Sequence, residues 1–158
     1  MIPKETWTAE NGLPDGWTAT ADATINAVMR ALRVSPKLLG YRYIFLAAHL
    51  ILTAHPLDRM RVRRDLYAMI GETMGTTKPM IIRSVRYAIA QAWKAADPEV
   101  LRSYLGGVAG SLREPPGNIE YIYLVAERVR LIVGDPLEEA FRKEAERRLA
   151  SRFPWLND

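Results

Sequence analysis

Four times along this chain a residue that caps helices stands at or just before a proline: Ser35-Pro36, Thr77-Lys78-Pro79, Asp97-Pro98 and Asp135-Pro136. Ser, Thr and Asp accept hydrogen bonds from the free N–H groups of a first helical turn, and Pro is tolerated there because its missing N–H would have gone unpaired. Glycines mark the opposite ends, at Gly75, Gly106-Gly107 and Gly134, where a left-handed residue closes a helix. Between these marks apolar residues recur every three or four positions, and no segment alternates between hairpin turns. The chain is therefore expected to be all-α.

The punctuation divides the chain as follows. Residues 1–21, with Pro3, Trp7, Gly12, Pro14, Gly16 and Trp17, read as an arm or linker. A first helix is expected from Asp22 to Val34, with Ile25, Val28, Met29 and Leu32 as its apolar stripe, and Ser35-Pro36 is expected to cap the next. That next segment, LLGYRYIFLAAHLILTAH, is apolar nearly all round, as a central helix packed on several sides must be. Pro56 ends it. A helix from Val62 to Met74 follows, expected to bury some of Leu66, Met69, Ile70 and Met74, and Gly75 stops it. Thr76 or Thr77 caps its successor. Asp97-Pro98 opens a short helix ending at Gly106-Gly107, the loop GVAGSLREPPG follows, and Asn118 is expected to cap a helix that closes at Gly134. Residues 22–134 form one domain in this reading. Residues 135–158 add a last helix, whose Leu137, Phe141, Ala145 and Leu149 recur every fourth position and must be covered by the same domain or by a partner copy.

At 158 residues, 49% hydrophobic and 25% charged, the chain can bury a single core. It has no Cys, which excludes a disulfide framework and a thiolate zinc site. The longest apolar run, Ile44 to Leu52 with His49 inside it, is too short to span a bilayer, and MIPKETWTAENG lacks a basic region followed by an apolar one. A cytoplasmic protein with no membrane partner is the expectation. Catalysis finds no footing in the residues either. The two histidines, His49 and His55, do not form the i, i+4 pair of a zinc helix, and no nucleophile stands with a base and an orienting acid. No enzyme, cofactor, metal or small-molecule substrate is expected, and His49 reads as a satisfied core or boundary residue.

Charge gives the functional direction. Residues 30–94 hold 12 Lys and Arg against 3 Asp and Glu, an excess of +9, whereas the remainder holds 10 against 15, or −5, within a net +4. Concentrated cations gain from releasing the counterions condensed on nucleic acid. In GTTKPMIIRSVRYAIAQAW, residues 75–93, Ile81, Val85, Ala88, Ile89 and Ala92 fall on one helical face, while Arg83, Arg86, Tyr87 and the following Lys94 fall elsewhere with no acid among them. Two amphipathic helices joined by a tight glycine turn form the helix-turn-helix pattern, whose second helix lies in the major groove. Arg83 and Arg86 stand about 60° apart on it, and the Arg fork matches guanine O6 and N7. Thr76, Thr77, Lys78 and Tyr87 are placed for phosphate, with Arg63, Arg64 and Lys94 as further candidates.

These residues carry a family resemblance. LGYRYIFLAAHLIL, LYAMIGETMGTTKPMIIRSVRYAIAQAW, EVLRSYLGG and GNIEYIYLVAERVRL, in that order, resemble the DNA-binding effector domain of the stage-zero sporulation response regulator. The most specific part is Thr76 and Thr77 followed by Arg83, Arg86, Ala88, Ile89, Ala92 and Trp93. The resemblance spans Ile25 to Leu131. It implies a six-helix bundle containing a helix-turn-helix, here with an extra C-terminal helix, that binds promoter DNA with a TGTCGAA-like core as a transcription regulator. It also implies that two copies can sit as a homodimer on tandem sites.

The chain departs from the family in three ways. Only about 24 residues precede the resemblance, so the phosphoacceptor receiver has no counterpart, and control by the chain's own phosphorylation is not expected. Met80 stands where the family usually has Arg, and Ile82 where it usually has Glu, so the base-reading set becomes Arg83, Arg86, Ile82 and Met80. The last helix has no family counterpart. The leading reading is a sequence-specific regulator of double-stranded DNA. The rival, favoured by Met80 and Ile82, is a protein-interaction module on the same fold that has lost base reading and modulates a full-length regulator.

Overall fold

In the computed structural model, which describes residues 13–157, the punctuation becomes seven α-helices, with no strand among the described residues. They are α1 (Trp17–Ala31), α2 (Leu39–Thr53), α3 (Arg59–Met74), α4 (Lys78–Ala95), α5 (Pro98–Leu105), α6 (Asn118–Val133) and α7 (Pro136–Arg152). Three of the four cap-and-proline pairs open helices as expected. Thr77 accepts from the N–H of Met80, Asp97 from that of Glu99 and Asp135 from that of Glu138.

Ser35-Pro36 does something else. The Ser35 hydroxyl accepts from Lys37 N at 3.4 Å and its carbonyl from Leu38 N at 3.1 Å, so the pair builds a turn, and α2 begins at Leu39 with no side-chain cap. A short hydroxyl beside a fixed φ suits either use. The start of α2 is instead held by tertiary contacts: Gly40 lies against α4, and the Tyr41 hydroxyl donates to Asn26 Oδ1 of α1 at 2.6 Å. Asn118 is a second correction. It is the first residue of α6, not its cap; Gly117 takes the cap position. Its buried side chain donates to the Ile82 carbonyl of α4 at 3.0 Å, a tertiary partner in place of a local one.

Helix boundaries move for similar reasons. α1 starts at Trp17, five residues before the expected Asp22, because the Trp17 ring is buried and its indole N–H donates to the Val133 carbonyl at the end of α6, 3.1 Å away. The helix stops at Ala31, short of Val34, where Arg33 turns left-handed at φ 65° and Val34 N reaches back to Met29 O at 2.9 Å. Trp7 lies outside the described residues. α3 starts at Arg59, three residues ahead of Val62, and bends at Asp65; it buries Val62, Leu66 and Ile70 but leaves Met74 exposed.

α2 is the centre. It packs on α1, α3, α4 and α6 and buries Tyr41, Tyr43, Ile44, Ala47, Ala48, Ile51 and Leu52, which accounts for an apolar surface on every side. Its contact with α4 is the closest in the fold. A Cβ on Gly40 would stand 2.7 Å from Ala88 Cβ and overlap the Ser84 carbonyl, so only a residue without one lets the two backbones approach.

α7 is docked by its first half alone. Leu137 is buried, and Phe141 meets the His55 ring edge-on with centroids 5.6 Å apart. Asp135 lies between Arg59 at 2.8 Å and Arg130 at 3.1 Å, and Glu138 reaches Arg59 at 3.1 Å. Beyond that Ala145 and Leu149 are exposed within the single chain, so its own domain covers only the first half of the stripe. Glu139–Lys143 and Glu144–Arg148 pairs form along the helix, and Arg142 pairs with Glu146. His49 of α2 bonds Asp22 of α1 through Nδ1 at 2.7 Å, a half-buried cross-link between helices.

Two outcomes follow from this packing. Gly40→Ala forces α2 and α4 apart and should cost about 1–3 kcal/mol, read as a lowered midpoint in chemical denaturation. His55 accepts the Leu57 N–H at Nδ1, 3.1 Å away, and burial holds its pKa below the ordinary 6.5, with Asp58 opposing and Arg59 adding to the shift. The unfolded ring therefore takes a proton at a higher pH than the folded one, so stability is fully present above about pH 6.5 and is lost as pH falls below it. Melting temperatures of the wild type should fall relative to those of His55→Asn between pH 7 and 5; parallel curves would refute the linkage.

Candidate nucleic-acid interface

The turn between α3 and α4 is three residues, Gly75 to Thr77. Gly75 adopts φ 65° and ψ 42°, a left-handed conformation that costs glycine little, and Thr76 N returns to the Gly71 carbonyl at 3.0 Å. Thr77 Oγ1 then accepts from Met80 N at 3.4 Å and starts α4. The two helices pack on each other through the apolar side of α4, where Ile81, Val85, Ala88, Ile89, Ala92 and Trp93 are buried against the bundle.

With that face inward, the helical turn of about 100° per residue sorts the other side chains into two stripes. Met80, Arg83, Tyr87 and Lys94 run along the crest. All four are exposed, Met80 by 40% and Tyr87 by 56%. Ile82 and Arg86, one turn apart, run along the flank facing the start of α6. Ile82 is half-buried, with its carbonyl held by Asn118, and Arg86 is exposed. Thus α4 brings Arg83 and Arg86 to adjacent stripes, with Met80 beside the first and Ile82 below the second.

The phosphate candidates separate into two groups. Thr76 and Thr77 form the turn itself, Lys78 sits at the head of α4 with its ammonium 5.9 Å from the Tyr67 ring centroid, and Tyr87 and Lys94 lie on the crest. Arg63 and Arg64 stand elsewhere, roughly three turns before the glycine at the start of α3. The Arg63 guanidinium lies 4.4 Å over the Tyr123 ring of α6. Arg64 is bound to its neighbour Asp65 through Nε at 3.1 Å and Nη2 at 3.0 Å, a contact that holds the Asp65 carboxyl below its usual range.

Among the described residues Arg83, Arg86, Lys94 and Arg113 make no ion pair, whereas Arg142, Lys143, Arg147 and Arg148 of α7 are each paired with a Glu of the same helix. The two helical surfaces therefore differ in kind. Four of the five cations of α7 are paired along the helix, whereas Arg83, Arg86 and Lys94 of α4 have no acid partner among the described residues. Arg113 was not singled out in the sequence. It lies in the loop between α5 and α6, where no periodicity assigns a side chain to a face, yet it stands across a groove from Arg86 and Lys94. Among the described residues no group of His, Asp and Glu is arranged to hold a metal ion, and no helix is long and apolar enough to cross a membrane.

A family model described as Sporulation initiation factor Spo0A C terminal matches residues 25–129. The match runs from the buried stripe of α1 into the last turns of α6, taking in the helix-turn-helix and leaving α7 outside.

Proposed function

As a member of the Spo0A C-terminal family of sporulation initiation factors, this chain is one that we propose acts as a sequence-specific regulator of double-stranded promoter DNA. The observation that carries this reading is the unpaired cation set on α4, a helix whose opposite face is wholly committed to the core. A second helix of a helix-turn-helix with this division lies in the major groove. Arg83 and Arg86 read bases, with Ile82 and Met80 making apolar contacts. Thr76, Thr77, Lys78, Tyr87 and Lys94 hold phosphates and set register. Arg63 and Arg64 have the weakest claim, since each already has a partner inside the domain. A promoter reader works in the cytoplasm, where the DNA is, and two copies on tandem sites would form a dimer on the duplex.

One observation favours the interaction module: Met80 and Ile82 put apolar surface on the side that would meet bases. The same titration decides between the readings. A labelled random duplex pool should bind at low salt, with affinity falling steeply as salt rises, because phosphate contacts displace condensed counterions. No binding at low salt would leave the interaction module. Arg83→Ala and Arg86→Ala should each cost about 1–3 kcal/mol on the selected site and less on random duplex, as base contacts do.

Ile82 gives a finer test. The family's usual Glu can accept from cytosine N4, whereas Ile offers only apolar contact, which suits the thymine methyl. Sites selected from a random pool should keep the guanines and admit thymine at the base pair Ile82 faces. Ile82→Glu should restore cytosine there, by about 1–3 kcal/mol at that one position. A selected site that is identical for both proteins would mean that residue 82 faces no base.

A further inference from the structure

The second half of the loop between α5 and α6, residues 112–118, is tied to α4 at both of its ends. The Trp93 indole N–H donates to the Leu112 carbonyl at 3.2 Å, and Asn118 Nδ2 donates to the Ile82 carbonyl at 3.0 Å. The two attachment points on α4 are about three turns apart. Between them the loop contains Pro115 and Pro116, whose φ angles are fixed by their rings and which donate no backbone hydrogen bond. A short segment held at two points and stiffened between them makes a second wall alongside α4.

Between wall and helix runs an open groove of about 550 Å³. Arg86 and Lys94 line it from the helix and Arg113 from the loop, against one acid, Glu114. None of the three cations makes an ion pair among the described residues. Half-buried Pro115 and Ala90, with the edges of buried Trp93 and Pro116, supply its apolar surface. Cations beside flat apolar faces suit a sugar-phosphate strand, whose phosphates need charge and whose deoxyribose rings need apolar contact.

We propose that this groove is a binding site for the duplex backbone, in which Arg113, held by the loop, grips one phosphodiester bordering the base pairs that α4 faces and Lys94 grips its neighbour. The proposal rests on the DNA reading above. A helix lying in the major groove has a phosphate strand on either side, and a basic wall parallel to that helix meets one of them. Trp93 and Asn118 act as positioning residues, since their bonds to Leu112 and Ile82 set the spacing between the wall and the helix.

The test uses the whole chain and two labelled duplexes, a selected site and a random sequence, titrated at several salt concentrations. A single phosphate contact contributes about 0.9 to the slope of log affinity against log salt. Arg113→Ala should therefore lose affinity equally on both duplexes and show a slope shallower by about 0.9, so that a fourfold rise in salt costs the wild type about 3.5-fold more affinity than it costs the variant. Arg113→Lys should restore the slope. Replacing the backbone linkages one at a time by neutral methylphosphonate should reveal one linkage whose neutralisation weakens the wild type and leaves Arg113→Ala unaffected. Arg113 is exposed, so an unchanged melting temperature checks that the variant is folded. Duplex binding with an unaltered slope in Arg113→Ala, and no such linkage, overturns the phosphate site alone. Absence of duplex binding by the wild type at low salt overturns the DNA reading and this site with it.

Discussion

The close approach of α2 and α4 at Gly40 is the constraint from which the rest of the architecture follows. With no side chain at that point, the backbone of α4 settles against the central helix at Ser84 and Ala88, and the buried face of α4 fills the space on either side. Close packing of this kind is unforgiving, because an interior near crystal density has no room for an added methyl group. The contact fixes the height and rotation of α4 on the bundle. It thereby decides which of its residues form the crest and which the flank, and so where Arg83 and Arg86 are presented.

A second set of contacts holds α4 from its other side. Asn118 and Trp93 each spend a side-chain donor on a carbonyl across the α4–loop boundary, and buried donors must find acceptors or cost stability. Both bonds are therefore strong determinants of local geometry. They anchor the second half of the loop between α5 and α6 to the recognition helix of the helix-turn-helix at two points. α7, by contrast, joins the bundle through one buried leucine, one ring contact and the Arg59–Asp135–Arg130 cluster. Along its remaining length four of its five cations pair with acids of the same helix. That difference matches the extent of the family match, which ends before α7 begins.

Much of this could be read in the residues. The apolar stripe of α1, the all-round apolar α2, the stop at Gly75, the cap at Thr77 and the buried face of α4 all rest on chemistry within a few positions of one another, and all recur in the structure. Local reasoning failed where one local signal had two outlets. Ser35-Pro36 can cap or turn, and Asn118 can cap or reach across. At Asn118 the choice belonged to Ile82, on another helix. Arg113 is the extreme case, since a loop residue between glycines and prolines has no periodicity to place it.

The sequence by itself determined the helical class, the caps at Thr77, Asp97 and Asp135, the glycine stops, the family, and the existence of a helix with a core face and a cationic remainder. These depend on short-range sterics, backbone hydrogen bonding and the period of the helix, which neighbouring residues specify. Only the tertiary structure decided that Ile82 sits low on the flank under Asn118, that Arg63 is taken up by Tyr123, and that Arg113 faces Arg86 and Lys94 across a groove. Those facts are distances between side chains on different elements. They are set by how surfaces pack once the helices meet, and no interval along the chain contains them.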